Sequence, residues 1–152
     1  MNLLNRLLEE KSRRPAVPAS EIHRKELTDI ASARSSRTLG ELEQEKKVLP
    51  GIYQRRTENE AELQSFLESA ASLYFIAAEA GSGKTNLMAE TFRKAESDGR
   101  ACLFLRAGRL DSSELSETLR RVLNLPEGDH PSFLGAFRED GPPLLILLDG
   151  GN

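Results

Sequence analysis

A glycine-rich segment, Ala78-Glu79-Ala80-Gly81-Ser82-Gly83-Lys84-Thr85, constrains this chain more than any other feature. It follows the apolar run Leu73–Ala77, which predicts a buried strand because it is short and rich in aromatic and branched residues. It precedes apolar residues at helical spacing over Lys84–Ser97, and Asp98-Gly99 then supplies a stop signal. A strand, a glycine-rich turn and a helix in this order are typical of a phosphate-binding P-loop.

The residue types in this segment suit a phosphate group. Gly81 and Gly83 let backbone amides close around phosphate oxygens, where a Cβ would obstruct the approach. Lys84 carries an ammonium group that can reach the outer phosphates, and Thr85 offers a hydroxyl to Mg²⁺. The helix that begins here directs the positive end of its dipole at the anion. We therefore predict binding of ATP and Mg²⁺. The predicted cofactor-binding residues are Ala78, Glu79, Ala80, Gly81, Ser82, Gly83, Lys84, Thr85 and Asn86.

The pattern itself is short. From average residue usage, it arises by chance in roughly one chain in a hundred of this length, and Ala78 departs from the usual first glycine. The predicted strand before it and the predicted helix after it are what favour a functional interpretation over an incidental glycine-rich turn.

An apolar run near the end of the chain terminates in a carboxylate. Leu144–Leu148 predicts a third buried strand, and Asp149 follows it directly. Because sites in α/β proteins lie at the carboxyl ends of parallel strands, we expect Asp149 on the same sheet edge as the P-loop. We predict Thr85 and Asp149 as metal ligands for Mg²⁺, and Lys84 and Asp149 as the catalytic residues.

The remaining pattern alternates helices with strands. A strand is predicted over Ala101–Leu105, and helices over residues 58–70 and 115–123, the latter preceded by a capping box at 111–114. This alternation indicates an α/β domain with parallel strands. We place that domain at residues 48–152. Residues 1–47 form a helical, loosely ordered N-terminal segment and linker, with a short amphipathic helix over Met1–Lys11 and a weakly helical stretch over Glu21–Lys47.

Composition excludes several classes of function. The formal net charge of -3 is spread over both halves of the chain, which makes nucleic acid an unlikely partner. No apolar run is long enough for a bilayer span, so we predict no membrane association.

The lone Cys102 excludes an internal disulfide and indicates a buried residue in a reducing, cytoplasmic setting. His23 and His130 lack partners at metal-ligand spacing and are interpreted as structural.

Three parts of the sequence together resemble the STAND class of P-loop ATPases, relatives of the NACHT and AAA+ modules. They are Ile52-Tyr53-Gln54-Arg55-Arg56 before a helix ending in Phe66-Leu67-Glu68-Ser69, then Gly81-Ser82-Gly83-Lys84-Thr85-Asn86-Leu87, and finally Leu147-Leu148-Asp149-Gly150-Gly151-Asn152. The resemblance runs from about Val48 to Asn152. Gly151 stands where the class has an apolar residue, and the sequence stops before the usual catalytic glutamate.

The resemblance implies a three-layer P-loop NTPase fold with a parallel sheet, incomplete at its C-terminus and ending at the Walker B strand. It implies an ATP- and Mg²⁺-binding regulatory switch, weakly or not hydrolytic by itself and an ATPase if completed. Tyr53 and Arg56 would then contact the base or ribose, with a packing role as the alternative. An incomplete sheet would associate with a second copy of the chain or with the missing C-terminal region.

Two other functions stay open on the sequence alone. One is a protein-interaction fragment that retains a vestigial nucleotide fold. The other is a small-molecule P-loop kinase, which shares the phosphate loop. Arg106 and Arg109 follow the second predicted strand, where either a surface role or a contact with phosphates or a neighbouring subunit is compatible with the pattern.

Overall fold

The computed structural model describes residues 19–51, 57–71, 73–110, 115–124, 137 and 141–150. The elements within these residues are α1 (Ala19–Gln44), α2 (Thr57–Glu68), α3 (Lys84–Ser97), β1 (Cys102–Arg106), a 3-10 turn (Ala107–Arg109), α4 (Leu115–Val122) and β2 (Leu145–Asp149). Several predicted features lie outside the described residues, namely the helix over residues 1–11, the capping box at 111–114, Tyr53, Arg56, His130, Gly151 and Asn152.

The two strands lie side by side and run parallel. Cys102 is opposite Leu145 at one end of the pair, and Arg106 is opposite Asp149 at the other. The described part of their connection contains α4, as expected for parallel strands, which need a long crossover. The register therefore places a cation and a carboxylate next to each other at the carboxyl ends of the strands.

Apolar side chains cover both faces of this strand pair. Alternate residues of a strand point to opposite faces, and this alternation divides the buried residues into two clusters. One cluster joins Leu103 and Leu105 to α1 and α4; its buried members are Leu27, Ala31, Ala101, Leu103, Leu105, Leu119, Leu123 and Phe137. The other joins Phe104 to Phe92 of α3, with the ring centroids 6.4 Å apart; its buried members are Leu42, Val48, Ala89, Phe92, Ala95, Cys102, Phe104, Leu145 and Leu147.

Helix α1 lies against the free edge of β1. The hydroxyl of Ser35, which is fully buried, accepts a hydrogen bond from the Phe104 amide at 2.8 Å. It also lies 3.1 Å from the Cys102 carbonyl and 2.7 Å from the Ala31 carbonyl of its own helix, both of which can accept its proton. One side chain thus satisfies backbone groups that a neighbouring strand would otherwise bind. The small residues Ala31 and Ser35 are what let the helix approach so closely.

Helix α3 has the bounds that the sequence predicts. Gly99 adopts a φ of 68°, its amide donates to the Glu96 carbonyl at 3.0 Å, and the Arg100 amide donates to the Ala95 carbonyl at 2.8 Å. This pair of bonds is a Schellman motif, in which a left-handed glycine satisfies the last carbonyls of the helix. The stop signal at Asp98-Gly99 is confirmed.

The expected fold class is wrong for the part of the chain that the structure describes. The sheet there has two strands, β1 and β2, and is too small to be the three-layer P-loop NTPase fold. Leu73–Ala77, expected as a buried strand, forms no strand; Leu73 is 68% exposed and Phe75 is 81% exposed. The physical reason is that a strand needs a neighbour for its backbone groups, and none of the described strands pairs with this segment. Its Tyr74 ring instead stacks on Phe66 of α2, with the centroids 5.3 Å apart.

Across the described residues, none of the helices combines the length and the apolar character that a membrane crossing requires.

Candidate phosphate-binding site

The glycine-rich segment forms a loop that leads directly into α3. Gly81 and Gly83 have φ values of 75° and 85°, in the left-handed region that glycine adopts without strain. The Ser82 amide donates to the Glu79 carbonyl at 3.2 Å, which closes the turn. Helix α3 then begins at Lys84, and Gly83 caps it without a side-chain hydrogen bond. The first-turn amides of α3 therefore have no side-chain acceptor from the cap residue, as an anion site requires.

Thr85 and Asp149 meet although they are far apart in sequence. The Thr85 hydroxyl lies 3.3 Å from Oδ1 and 3.2 Å from Oδ2 of Asp149, and donates to this carboxylate. Asp149 is 6% exposed, so its charge is largely removed from water. The structure thus brings together the two predicted Mg²⁺ ligands, one from the first turn of α3 and one from the end of β2.

The side chains of Lys84 and Ser82 also belong to this loop. The Lys84 ammonium donates to the carbonyls of Ala78 at 2.6 Å and Glu79 at 2.8 Å, so it lies across the loop. The Ser82 hydroxyl is buried and has no hydrogen-bond partner. Burying a polar atom without a hydrogen-bond partner costs free energy. A ligand oxygen that accepts a hydrogen bond from this hydroxyl would therefore stabilise the loop.

Asn86, also predicted to bind the cofactor, contacts the chain after α1. Its side-chain oxygen accepts from the Leu49 amide at 3.2 Å, and its side-chain nitrogen donates to the Lys47 carbonyl at 3.4 Å. These contacts fasten the start of α3 to the segment that follows α1. They hold the loop in position rather than supply a contact within it.

Arg106 and Arg109, left open by the sequence, are paired with Glu41 of α1 and with Glu45, which directly follows α1. Arg106 donates to both carboxylate oxygens of Glu45, at 2.7 and 2.9 Å. Hydrogen bonding from Arg106 holds the pKa of Glu45 well below its ordinary value, at about 2. Arg109 pairs with Glu41 and lies 3.7 Å from Glu45. Neither Glu41 nor Glu45 was predicted as a partner, although the helical stretch predicted over Glu21–Lys47 would place residues four apart on one face.

These residues fit a phosphate-bound magnesium ion better than a free one. Within the described residues, no group of three or more His, Cys, Asp or Glu side chains is placed to hold a metal by itself. Mg²⁺ commonly takes one or two protein oxygens, with substrate phosphates and water completing its shell. The oxygens of Thr85 and Asp149 can fill that role. When bound, the metal would supply positive charge between the phosphates and Asp149.

Comparison with known proteins gives one partial match. Residues 113–144 match the family described as PSP, which covers less than half of the chain. The chain matches no curated protein and no solved structure.

These comparisons contradict the assignment to the STAND class, because the family matched is neither a STAND nor another P-loop family. The matched residues begin after the glycine-rich loop and end before Asp149, so they include neither part of the candidate site. The physical reason for the error is that the class was inferred from short motifs. A glycine-rich turn before a helix meets the needs of phosphate binding by itself and does not specify the surrounding fold.

Proposed function

We propose that the chain binds the phosphates of a nucleoside triphosphate, ATP being the expected one, together with Mg²⁺. The observation that carries this proposal is the contact between Thr85 and the buried carboxylate of Asp149 at the N-terminus of α3. Asp149 accepts a hydrogen bond from the neutral Thr85 hydroxyl, and the neighbouring Arg106 guanidinium is bound to Glu45, so the buried carboxylate can still favour a further cation. The helix terminus beside it favours an anion. A magnesium-phosphate group satisfies both requirements at once.

Each residue of the loop has a role in this proposal. The amides from Gly83 to Thr85 face phosphate oxygens, and the left-handed glycines Gly81 and Gly83 permit that close approach. Lys84 exchanges its two loop carbonyls for phosphate oxygens, which are stronger acceptors because they carry charge. Thr85 and Asp149 hold the metal. The proposal concerns binding alone, and such binding is compatible both with a regulatory switch and with an ATPase.

Removal of the metal tests the proposal. ATP should bind wild-type protein about tenfold more tightly with Mg²⁺ than with EDTA, because the metal offsets the repulsion between phosphate and Asp149. In Asp149→Asn, that repulsion and the metal ligand are both removed, so affinity should become nearly independent of Mg²⁺. Isothermal titration calorimetry with and without Mg²⁺ measures both effects.

Asp98→Asn is the matched control, because it removes one carboxylate from the exposed far end of α3. It should keep the wild-type response to Mg²⁺. If Asp149→Asn also keeps that response, Asp149 is not a metal ligand and the proposed site is wrong.

We also propose that the chain associates with a second copy of itself through Leu73–Ala77. The supporting observation is the exposure of Leu73 and Phe75, which are 68% and 81% exposed on a segment outside the helices and strands. Apolar side chains exposed side by side in this way gain free energy by burial against another surface. Two copies offer each other the same apolar surface, as symmetric dimers do.

Phe75→Ser should raise the dimer dissociation constant at least about tenfold, because burying a phenylalanine contributes about 1.5–3 kcal/mol. Sedimentation velocity over a range of protein concentrations measures it. Leu49→Ser is the control, since Leu49 is 45% exposed but lies outside the segment. A wild-type protein that stays monomeric at high concentration would exclude this association.

We also propose that the protein resides in a reducing, cytoplasmic compartment. Cys102 is 4% exposed, and burial raises the pKa of its thiol to about 12. Such a thiol is a packing residue rather than a nucleophile.

A further inference from the structure

A second basic site lies beyond the glycine-rich loop, in a cavity of about 370 Å³ between α1, α4 and the 3-10 turn. We call it the arginine cavity. The side chains of five arginines line it, with Glu41 as the one acid in its lining: Arg34, Arg37, Arg106, Arg109 and Arg121. None of the residues from Ala78 to Asn86 line it, nor does Asp149. Its volume is within the range of pockets that hold small molecules, about 300–1,000 Å³.

The positive charge of this cavity is only partly neutralised. Arg37, Arg106 and Arg109 share the carboxylates of Glu41 and Glu45, and Arg121 pairs with Glu117. Arg34, one turn before Arg37 on the same face of α1, has no carboxylate partner among the described residues. Because several guanidinium groups surround one space, an anion inside it would relieve their mutual repulsion.

A buried hydroxyl independently indicates a ligand. Thr118 lines the arginine cavity and is 6% exposed, and its Oγ1 atom is buried without any hydrogen-bond partner. A threonine hydroxyl in a helix commonly binds the carbonyl one turn earlier, as Thr28 and Thr91 do here. The Thr118 hydroxyl has no partner among the described residues, so a partner from outside the protein would remove the free-energy cost of its burial.

We propose that the arginine cavity binds a phosphate-bearing small molecule, at a site separate from the glycine-rich loop. Guanidinium groups match phosphate oxygens in charge and in geometry, and Thr118 supplies a further donor. The cavity is also lined by Leu105, Leu110 and Val122, which would contact an apolar body attached to the phosphate. The expected ligand is therefore a phosphate monoester rather than the free ion.

The test uses the Lys84→Ala variant as the background, so that binding at the glycine-rich loop does not contribute. Calorimetric titration without Mg²⁺ compares phenyl phosphate with inorganic phosphate. Phenyl phosphate should bind saturably and at least about fivefold more tightly, because its ring contacts the apolar wall. Equal affinities would still support the site but would identify the free ion as its ligand.

Three substitutions test whether phenyl phosphate binds in the arginine cavity. Arg34→Ala should weaken phenyl phosphate binding about tenfold, since it removes a charged donor from the cavity without breaking a salt bridge among the described residues. Thr118→Val should weaken it about threefold and leave the folded state at least as resistant to urea, because the hydroxyl has no partner within the protein. Lys25→Ala removes an equal charge from an exposed position of α1 outside the cavity and should have no effect.

Two results would overturn the proposal. One is the absence of saturable binding by the folded Lys84→Ala protein. The other is an equal loss of affinity in Lys25→Ala and Arg34→Ala, which would indicate attraction by overall charge. Wild-type binding of Mg²⁺-ATP is measured separately, so failure at the arginine cavity and failure at the glycine-rich loop remain distinguishable.

Discussion

Replacing Lys84 with alanine is expected to weaken the binding of Mg²⁺-ATP about a hundredfold. The ammonium group would lose two charge-assisted hydrogen bonds to phosphate, a loss of about 3 kcal/mol. Stability of the fold should change little. In the structure, the Lys84 side chain binds two carbonyls of its own exposed loop, and α3 keeps its other contacts.

Lys94→Ala is the matched control for this substitution. Lys94 belongs to the same helix, carries the same charge and donates to Gln64 at 2.9 Å, away from the loop. Its removal should leave ATP affinity within about twofold of wild type. Calorimetric titration with Mg²⁺-ATP gives the affinities, and urea denaturation of each variant shows whether the fold is intact. Equal ATP affinity in wild type and Lys84→Ala would refute phosphate binding at this loop.

Most of the predictions that succeeded depend on contacts close in sequence. The bounds of α3 follow from its apolar spacing and from the left-handed Gly99, both of which are local. Strand β2 and the position of Asp149 at its end also follow from a short apolar run. The Thr85 and Asp149 side chains, 64 residues apart, also meet as expected, although the P-loop strand on which that expectation depended, Leu73–Ala77, forms no strand.

The predictions that failed depend on contacts distant in sequence. An apolar pattern such as Leu73–Ala77 predicts a strand, but it does not determine whether another strand pairs with it. Likewise, a phosphate-loop motif specifies local backbone geometry and leaves the rest of the sheet undetermined, which is why the fold class was wrong. The salt bridges from Arg106 to Glu45 and from Arg109 to Glu41 span more than 60 residues and were not predicted for the same reason.

Helix α1 shows the opposite error, because its sequence pattern predicted a weaker helix than the structure contains. Its large apolar residues are too sparse for a clear stripe, so the segment was predicted as weakly helical. The structure completes the stripe with small residues: Leu27, Ala31, Ser35 and Leu42 are all buried at intervals of four or seven. Small buried residues carry little hydrophobic signal, yet they permit the close approach to β1 that places the Ser35 hydroxyl among the backbone groups of that strand.

Ser35→Ala should therefore destabilise the protein by about 3 kcal/mol, although it removes a single oxygen atom. The Phe104 amide and the Cys102 carbonyl would both lose their partner at a buried strand edge, and each unsatisfied backbone group costs about 1–3 kcal/mol. Alanine has a higher helix propensity than serine, which offsets a few tenths of a kcal/mol at most. Urea denaturation followed by circular dichroism gives the free energy of unfolding for both proteins.

Thr28→Ala is the matched control, because it removes a helical hydroxyl that forms its hydrogen bond away from the edge of β1. The Thr28 hydroxyl donates to the Arg24 carbonyl at 2.8 Å, in the same helix and with the same i−4 pattern, so this hydrogen bond stays within α1. Its loss should cost about 0.5 kcal/mol or less. If the two substitutions have equally small effects, the strand edge obtains its hydrogen bonds elsewhere. In that case α1 is held against β1 by its apolar contacts alone.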